Sequence, residues 1–320
     1  MSAIRANGLR RTFDDLVAVE GLNLDIAEGE IFGLVGPDGA GKTTTMRMLT
    51  GLLKPSGGAA EVAGFDVVRH TERLKEHIGY MSQRFGLYPD LTVMENIGFY
   101  ADIYGVPVRG RAEKIDRLLG FSNLTPFRQR LAGNLSGGMK QKLGLACALI
   151  HTPRVLFLDE PTNGVDPVSR RDFWRILYQL VRERVTIFIS TAYLDEAERC
   201  TRLALLHQGR LLGLGTPDEV KAMMPGALLE VRTPAPRRTA ALLRERLAAA
   251  SVGLFGDRVH VATRDPAGTE RQTRELVAAA GFELVSIRSV EPSLEDVFVS
   301  VLAEQKPAAP ATAVVPSNDA

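Results

Sequence analysis

Residues 36–44 read Gly-Pro-Asp-Gly-Ala-Gly-Lys-Thr-Thr and match the pattern G-x-x-x-x-G-K-[ST] of a phosphate-binding P-loop. Glycines let the backbone curl until successive N–H groups point at phosphate oxygens. The ammonium of Lys42 reaches the outer phosphates, and the Thr43 hydroxyl is placed to bind Mg²⁺. The apolar run 31–35 predicts a strand before the loop, and a helix is predicted from about Lys42 to Leu49. The predicted phosphate site consists of Gly36, Pro37, Asp38, Gly39, Ala40, Gly41, Lys42, Thr43 and Thr44.

Length, charge and composition narrow the class of protein. The 320 residues are enough for two domains, and the net charge of +1 provides no overall field that favours nucleic acid. No apolar run approaches the ~18–20 residues needed to span a bilayer, and the N-terminus lacks the apolar stretch of a signal peptide. The two cysteines, Cys147 and Cys200, are far apart in sequence. We therefore expect buried thiols in a reducing cytosol.

Strands and helices alternate through the first two thirds of the chain. Residues 1–30 alternate apolar and polar positions and predict an antiparallel β layer. Residues 87–150 are predicted to be mostly helical, with helices near 91–104 and 138–150. A strand is predicted to end at 78–80. Buried strands are predicted at 155–158 and 185–190, with a helix near 167–184 between them. This order predicts a parallel α/β sheet.

A second domain is predicted after Pro225-Gly226. The order from 227 to 289 is β-α-β-β-α-β, which is typical of a ferredoxin-like α+β domain, and a short helix at 293–302 follows. From Glu304 the chain is rich in Pro and Ala without periodicity. The predicted domains are therefore 1–224, 225–303 and a disordered tail at 304–320.

Two carboxylates follow the apolar run 155–158. After a P-loop, such an acid pair is typical of the second half of a phosphate site. Asp159 would meet Mg²⁺ through water, and Glu160 would act as general base on the attacking water. A strand that simply ends in a charged turn is the alternative, and the upstream P-loop weighs against it.

The third motif is Leu135-Ser136-Gly137-Gly138-Met139, where Ser136 and the glycines open a helix. With the P-loop and the acid pair in this order, residues 3 to about 222 resemble the nucleotide-binding subunit of ABC transporters. The resemblance implies a P-loop ATPase fold of ABC type with an antiparallel β layer, a parallel-sheet core and a helical subdomain. It also implies ATP and Mg²⁺ as ligands.

The resemblance assigns further roles residue by residue. Phe13 would stack on adenine, with an ordinary core aromatic as the alternative. Gln83 would reach Mg²⁺ and relay the state of the metal to a membrane subunit. Gly164-Val165-Asp166 resembles the loop that crosses the dimer interface. The catalytic residues implied are Glu160, Gln83 and Lys42, the metal ligands Thr43, Gln83 and Asp159, and the residues that cap ATP on a partner chain Ser136, Gly137 and Gly138.

One position departs from the family pattern. Where the family has Ser-Thr-His, this chain has Ser190-Thr191-Ala192, and its five histidines at 70, 77, 151, 207 and 260 all lie elsewhere in sequence. Alanine cannot hydrogen-bond a phosphate or carry a proton. We therefore expect slow hydrolysis at this chain's own P-loop, with ATP binding less affected. The alternative is that Tyr193, Thr191 or a water molecule substitutes.

The sequences of the motifs are similar to those of ABC-2 type, multidrug-efflux-like ATPases. They most resemble the first half of bacterial exporters that fuse two such domains. This likeness implies an ABC-2 type integral membrane permease and a second nucleotide-binding subunit, in a homodimer or heterodimer, as partners. It implies a peripheral location on the cytoplasmic side of the cell membrane, with drugs, lipid-linked molecules or polysaccharides as cargo. A permease helix would dock on the helix through Tyr104 and on the apolar side chains Phe85, Leu87, Tyr88 and Leu91, unless these belong to the core.

Other functions fit the sequence less well. A regulatory subunit that clamps ATP with little hydrolysis is favoured by Ala192 and opposed by Lys42, Asp159 and Glu160. A soluble ABC protein acting on nucleic acid or ribosomes usually has two ATPase domains or long coiled coils, and the near-neutral charge gives no nucleic-acid footprint. An importer ATPase is disfavoured by the accessory domain. We therefore expect an export ATPase with no nucleic-acid partner.

Overall fold

The computed structural model describes residues 1–83, 86–247 and 251–305. The chain divides into two compact units between Pro217 and Asp218. The predicted boundary at Pro225-Gly226 lies a few residues inside the second unit, where this dipeptide directly precedes a strand. Gly226 has a φ of +85°, and a Cβ there would lie 2.1 Å from the carbonyl oxygen of Thr263.

The first unit contains ten strands and seven α-helices within its described residues. The strands are β1 Ser2–Phe13, β2 Leu16–Ala27, β3 Ile31–Val35, β4 Gly57–Val62, β5 Phe65–Asp66, β6 Ile78–Met81, β7 Val155–Asp159, β8 Thr186–Thr191, β9 Arg202–His207 and β10 Arg210–Gly215. The helices are α1 Lys42–Leu49, α2 Thr71–Lys75, α3 Val93–Ile103, α4 Arg111–Phe121, α5 Gly137–Leu149, α6 Pro167–Arg182 and α7 Leu194–Ala197. The predicted strands and helices of this part of the chain are present, with shifts of a few residues at their ends.

Two sheets form the body of this unit. The antiparallel sheet has the order β2-β1-β4-β5, so it includes two strands that the sequence did not predict. Its β4 segment, Gly-Gly-Ala-Ala-Glu-Val, lacks the apolar and β-branched alternation of a half-buried strand. The second sheet has the order β10-β9-β3-β8-β7-β6 and is parallel from β9 to β6. The predicted α/β class with an antiparallel layer is therefore confirmed.

The parallel strands are buried on both faces, which explains their continuous apolar runs. One face packs with the antiparallel sheet and α1, where Phe32, Phe157 and Phe188 meet. The other face packs against α6, where Trp174 is fully buried. Helices α3, α4 and α5 share a separate core, in agreement with the helical subdomain predicted at 87–150.

The second unit has four strands and four helices among its described residues. These are α8 Pro217–Lys221, β11 Ala227–Arg232, α9 Pro236–Arg246, β12 Ser251–Phe255, β13 Arg258–Thr263, α10 Pro266–Ala279, β14 Ser286–Val290 and α11 Leu294–Gln305. The strand order β12-β13-β11-β14, antiparallel throughout, is consistent with the predicted β-α-β-β-α-β arrangement. Helix α11 continues to Gln305, so the tail predicted from 304 begins too early, and residues 306–320 lie outside the described residues.

Within the residues that the structure describes, no helix has both the length and the apolar character needed to cross a membrane.

Candidate functional site

The carboxyl ends of four parallel strands bring the predicted site residues to one edge of the sheet. In register, Val35 pairs with Thr191, and Asp159 pairs with Ser190. Strand β6 ends at Met81, opposite Leu158. The segments that follow these strands carry the P-loop, Gln83, Glu160 and Ala192. Open α/β sheets bind ligands at this edge.

The P-loop has the backbone that an anion site requires. Gly41 is the N-cap of α1 with a φ of +105°, and no side chain caps this helix. The first N–H groups of α1 therefore have no side-chain acceptor, and the positive end of the helix dipole lies beside them. Gly36 is required for a different reason, because a Cβ there would lie 2.1 Å from the carbonyl oxygen of Leu206.

A cleft of about 800 Å³ gathers most of the predicted ligand-binding residues. Such a volume is within the range of small-molecule sites. Its lining includes Phe13 from the antiparallel sheet, Gln83 from the segment after β6, and Glu160 from the segment after β7. The full lining is Phe13, Leu16, Val17, Ala18, Asp38, Gly39, Ala40, Gly41, Lys42, Thr43, Thr44, Gln83, Glu160, Asn163 and Gln208.

Lys42 and Glu160 form an ion pair at the centre of this cleft. The Lys42 Nζ lies 3.0 Å from Glu160 Oε1, and it also donates to the carbonyl oxygens of Gly36 and Pro37 at 2.8 and 3.1 Å. The other carboxylate oxygen of Glu160 accepts a hydrogen bond of 2.8 Å from Gln83 Nε2. Three predicted catalytic residues are thus in direct contact. Glu160 has a φ of +49°, a conformation that is uncommon for a residue with a side chain.

Asp159 has the features of an acid that meets a hydrated cation. Its Oδ1 accepts a 2.6 Å hydrogen bond from Ser190 Oγ, whereas its Oδ2 has no hydrogen-bond partner although the residue is only 1% exposed. A buried carboxylate oxygen without a donor is costly unless a water or an ion satisfies it. Burial raises the pKa of the nearby Tyr80 phenol, and the charge of Asp159 raises it further.

These residues fit Mg²⁺ as it occurs with nucleotides, bound by few protein oxygens together with phosphates and waters. The described residues hold no group of three or more His, Cys, Asp or Glu side chains suited to a metal ion. The fit therefore rests on the hydroxyl of Thr43, the amide of Gln83 and the free oxygen of Asp159.

A smaller cavity of about 150 Å³ lies next to Ala192, beside Glu160. Its lining contains no histidine and consists of Asp38, Glu160, Thr162, Asn163, Thr191, Ala192 and Tyr193. The Thr191 hydroxyl donates to Glu196 Oε2 at 3.0 Å and accepts from the Tyr193 backbone N–H at 3.0 Å. The Tyr193 hydroxyl donates to Asn163 Oδ1 at 3.3 Å, and Asn163 Nδ2 donates to Glu160 Oε2 at 3.4 Å.

Ser136, Gly137 and Gly138 do not line either cavity. Ser136 caps α5 by accepting a hydrogen bond from the Met139 backbone N–H, and both Ser136 and Gly137 are exposed. Gly138 has a local reason to be glycine, since a Cβ there would lie 2.5 Å from the Ser169 side chain of α6. The motif at 135–139 is therefore a helix start that exposes Ser136 and Gly137 to solvent in the single chain.

Phe13 lines the cleft and is 40% exposed, so it is not an ordinary core aromatic. The Arg11 guanidinium lies 4.5 Å from the centre of its ring. The predicted docking residues differ among themselves. Tyr88 is exposed, Leu87 and Leu91 are half-buried, and Phe85 lies outside the described residues. The exposed Ile103 instead lines a groove of about 660 Å³ together with Tyr104, Val106 and Pro107.

Sequence reasoning missed the contributions of Asn163 and Gln208 to the cleft. Asn163 follows Glu160 by three residues, and this closeness is the signal that points to it. Gln208 has no comparable signal. It lies in the turn between β9 and β10, and the structure brings this turn to the P-loop through a hydrogen bond from Gly209 N–H to the Ala40 carbonyl oxygen.

Comparison of the sequence with known proteins identifies similar chains. A family model described as ABC transporter matches residues 19–163. The chain is 45% identical to the probable multidrug ABC transporter ATP-binding protein YbhF of Escherichia coli (strain K12), over 94% of this chain and 52% of that protein. It therefore spans about half the length of this relative.

Other relatives match over nearly their whole length. Identity is 33% to the daunorubicin resistance ATP-binding protein DrrA2 of Streptomyces coeruleorubidus, over 93% of this chain and 94% of that protein. It is 37% to the Nod factor export ATP-binding protein I of Rhizobium sp. (strain N33), over 93% of this chain and 96% of that protein.

Solved structures agree with the sequence comparison. The chain matches an ATP binding subunit of an ABC transporter with a TM-score of 0.63 and 27% identity, over 69% of this chain and 92% of that one. It matches cbiO1 from Clostridium perfringens, part of the ABC transporter complex cbiONQ, with a TM-score of 0.64 and 26% identity, over 77% of this chain and 96% of that one.

Proposed function

Because the chain belongs to the ABC transporter family of ATP-binding proteins, we propose that it binds and hydrolyses ATP with Mg²⁺ and thereby energises an exporter of the ABC-2 type. The observation that carries this proposal is the cleft in which the P-loop, Gln83 and Glu160 converge on one volume. The relatives named for multidrug transport, daunorubicin resistance and Nod factor export support export as the direction of transport. Drugs, lipid-linked molecules or polysaccharides are the proposed cargo classes.

The roles of the residues follow from their positions. Phe13 offers a partly exposed ring to adenine at one end of the cleft, and the N–H groups of the P-loop hold the phosphates at the other. Lys42 leaves Glu160 and turns its ammonium to the outer phosphates. Glu160 then accepts a proton from the attacking water, while Gln83 holds the free end of its carboxylate.

Three residues have side-chain oxygens that are suited to Mg²⁺. Thr43, Gln83 and Asp159 would hold Mg²⁺, with Asp159 acting through water. The metal would neutralise charge on the phosphate oxygens of ATP. Ser190 fixes the Asp159 carboxylate through a 2.6 Å hydrogen bond and leaves one oxygen for this purpose.

The site at this chain's own P-loop is proposed to hydrolyse slowly. Ala192 supplies no donor for the terminal phosphate, and losing one such donor lowers the rate by a factor on the order of 10²–10³. Ser136, Gly137 and Gly138 are intact, and Ser136 and Gly137 are exposed, so this helix start is available to cap ATP on a second nucleotide-binding subunit. A heteromeric pair, in which the partner carries the histidine, fits both observations.

The membrane partner is proposed to be an ABC-2 type permease. The groove lined by Ile103, Tyr104, Val106 and Pro107 combines apolar side chains with Glu72, Lys75 and Glu76, and a short amphipathic permease helix fits such a surface. This arrangement would keep the chain on the cytoplasmic side of the cell membrane as a peripheral subunit. Replacing Ile103 with Glu should abolish stimulation by the permease without changing basal turnover.

Phosphate release by the purified chain tests the proposal. We expect low turnover that falls further in Glu160→Gln and rises on the order of 10²-fold in Ala192→His. Brisk wild-type turnover with no gain in Ala192→His would contradict the slow-site proposal. If Glu160→Gln loses nothing, the second candidate function applies, a regulatory subunit that clamps ATP with little hydrolysis. Ala192 is the observation that favours this second candidate.

A further inference from the structure

We infer that Tyr193, acting through Asn163, is the positioning residue that holds Glu160 in place of the histidine missing at position 192. This inference rests on the proposed hydrolysis of ATP and names the side chains that keep the general base aligned. The observation behind it is a continuous chain of two hydrogen bonds from the Tyr193 hydroxyl to the Glu160 carboxylate.

The chemistry of asparagine suits this link. Its Oδ1 accepts from the Tyr193 hydroxyl, and its Nδ2 donates to Glu160 Oε2. A carboxylate can only accept, so the amide must turn its NH₂ toward Glu160 and its oxygen toward the tyrosine. The distances of 3.3 and 3.4 Å are long, as is common at catalytic sites that tighten when substrate binds.

Other elements hold the Tyr193 ring in place. The Arg170 guanidinium lies 4.6 Å from the ring centre, and its Nε is 3.3 Å from Glu196 Oε1. Glu196 is fully buried and also accepts from the hydroxyls of Thr162 and Thr191. The ring therefore packs against a fixed cation, while its hydroxyl points to Asn163.

The remaining alternatives at this position are weaker. Thr191 is the other residue adjacent to Ala192 in sequence, but its hydroxyl already donates to Glu196 and accepts from the Tyr193 N–H. No histidine is among the residues that line the cleft or the smaller cavity. Gln83 also donates to Glu160 Oε2. Asn163 provides the second donor to this oxygen, and the two donors together fix the plane of the carboxylate.

Tyr193→Phe is the direct test, because it removes the hydroxyl and keeps the ring on Arg170. We expect kcat for ATP hydrolysis by the full chain to fall about tenfold, while the KM for ATP stays within twofold, since the base is misaligned but the phosphate site is intact. Asn163→Leu, which breaks the same link at its centre, should reproduce this split. The matched control is Tyr178→Phe, because Tyr178 is exposed to a similar extent and its hydroxyl donates to the Arg199 carbonyl oxygen rather than to a residue of the cleft.

A double-mutant cycle separates positioning from a purely structural role. In the Ala192→His background, a histidine again holds the base, so adding Tyr193→Phe should lower kcat by less than about twofold. Equal losses in both backgrounds, or a loss shared by Tyr178→Phe, would overturn the inference. So would an unchanged kcat in Tyr193→Phe when wild-type turnover is well above that of Glu160→Gln. Wild-type turnover no higher than that of Glu160→Gln would instead contradict the proposed hydrolysis and this inference with it.

Discussion

The Lys42 ammonium lies 3.0 Å from the Glu160 carboxylate, and the two side chains are only 4% and 10% exposed. The group proposed to bind phosphate thus neutralises the group proposed to activate water. Nucleotide binding must break this pair, because the lysine cannot serve a phosphate and a carboxylate in the same geometry. Before ATP arrives, the pair keeps both charges compensated in a partly buried site.

Glu160→Gln should bind ATP more tightly than the wild type and hydrolyse it more slowly. Removing the carboxylate frees Lys42 for phosphate, which we expect to tighten ATP binding by about threefold to tenfold. Loss of the general base should lower turnover by a factor on the order of 10²–10⁴. Titration with a fluorescent ATP analogue and phosphate release measure the two effects, and Lys42→Ala, which should lose both, is the control. Weaker ATP binding by Glu160→Gln would contradict the expectation that Glu160 and the phosphates compete for Lys42.

Asp159→Asn should remove the contribution of Mg²⁺ without removing ATP binding. The unpartnered Oδ2 of Asp159 is the buried oxygen that fits a metal-bound water. In the wild type, we expect ATP with Mg²⁺ to raise the Tm more than ATP alone. In Asp159→Asn this additional rise should disappear. Ser190→Ala, which loses the hydrogen bond to Oδ1 but keeps the carboxylate, should retain most of the effect of Mg²⁺. If Mg²⁺ raises the Tm of Asp159→Asn as much as that of the wild type, the assignment of Asp159 to the metal site would be wrong.

Two glycines of the P-loop should respond differently to alanine. In Gly36→Ala the new Cβ would lie 2.1 Å from a backbone oxygen, so the chain must shift, at a cost of about 2 kcal/mol or more. In Gly39→Ala no atom lies within 4 Å, but the φ of +78° is unfavourable, at a cost of about 1 kcal/mol. Urea unfolding of the two variants measures the difference. Equal destabilisation would show that contact with Leu206 does not constrain the loop.

The second unit should lose stability in acid through Glu230. Burial alone would raise the pKa of this group, but hydrogen bonds from Arg232, Arg288 and Arg258 outweigh it and lower the pKa to about 2, from an ordinary value of 4.5. The stabilisation is therefore complete above pH about 4.5 and is lost as the pH falls from there through about 2. Because the three arginines are partly exposed, we expect Glu230→Gln to cost about 1–2 kcal/mol at pH 7.

Urea unfolding of Glu230→Gln and wild type between pH 7 and pH 3 checks this window. The difference in the free energy of unfolding between Glu230→Gln and wild type should become smaller below pH about 4.5. Glu270→Gln, which removes the exposed ion pair with Arg274 in the same unit, should cost less than about 0.5 kcal/mol at any pH. A difference between Glu230→Gln and wild type that is independent of pH would assign the loss to packing rather than to charge.

Much of the fold and of the candidate site could be predicted from local motifs. The P-loop, the acid pair and the helix start at Ser136 are runs of adjacent residues, and their structures depend on backbone conformation and hydrogen bonds between near neighbours. The apolar strands at 155–158 and 185–190 were readable because both of their faces are buried. Strand β4 was not, because its small and polar residues form a strand only through pairing with β1.

The sequence by itself therefore determined that this chain has a P-loop motif, an acid pair after a buried strand and no histidine at position 192. Only the tertiary structure decided which side chains meet. Register between parallel strands brings Gln83 to Glu160 across 77 positions of sequence, and it brings Tyr193 to Asn163 across 30. The pairing of Lys42 with Glu160 follows from the same edge of the sheet. The physical reason is that a motif sets the chemistry available at one strand end, while the order and register of the strands set the distances between ends.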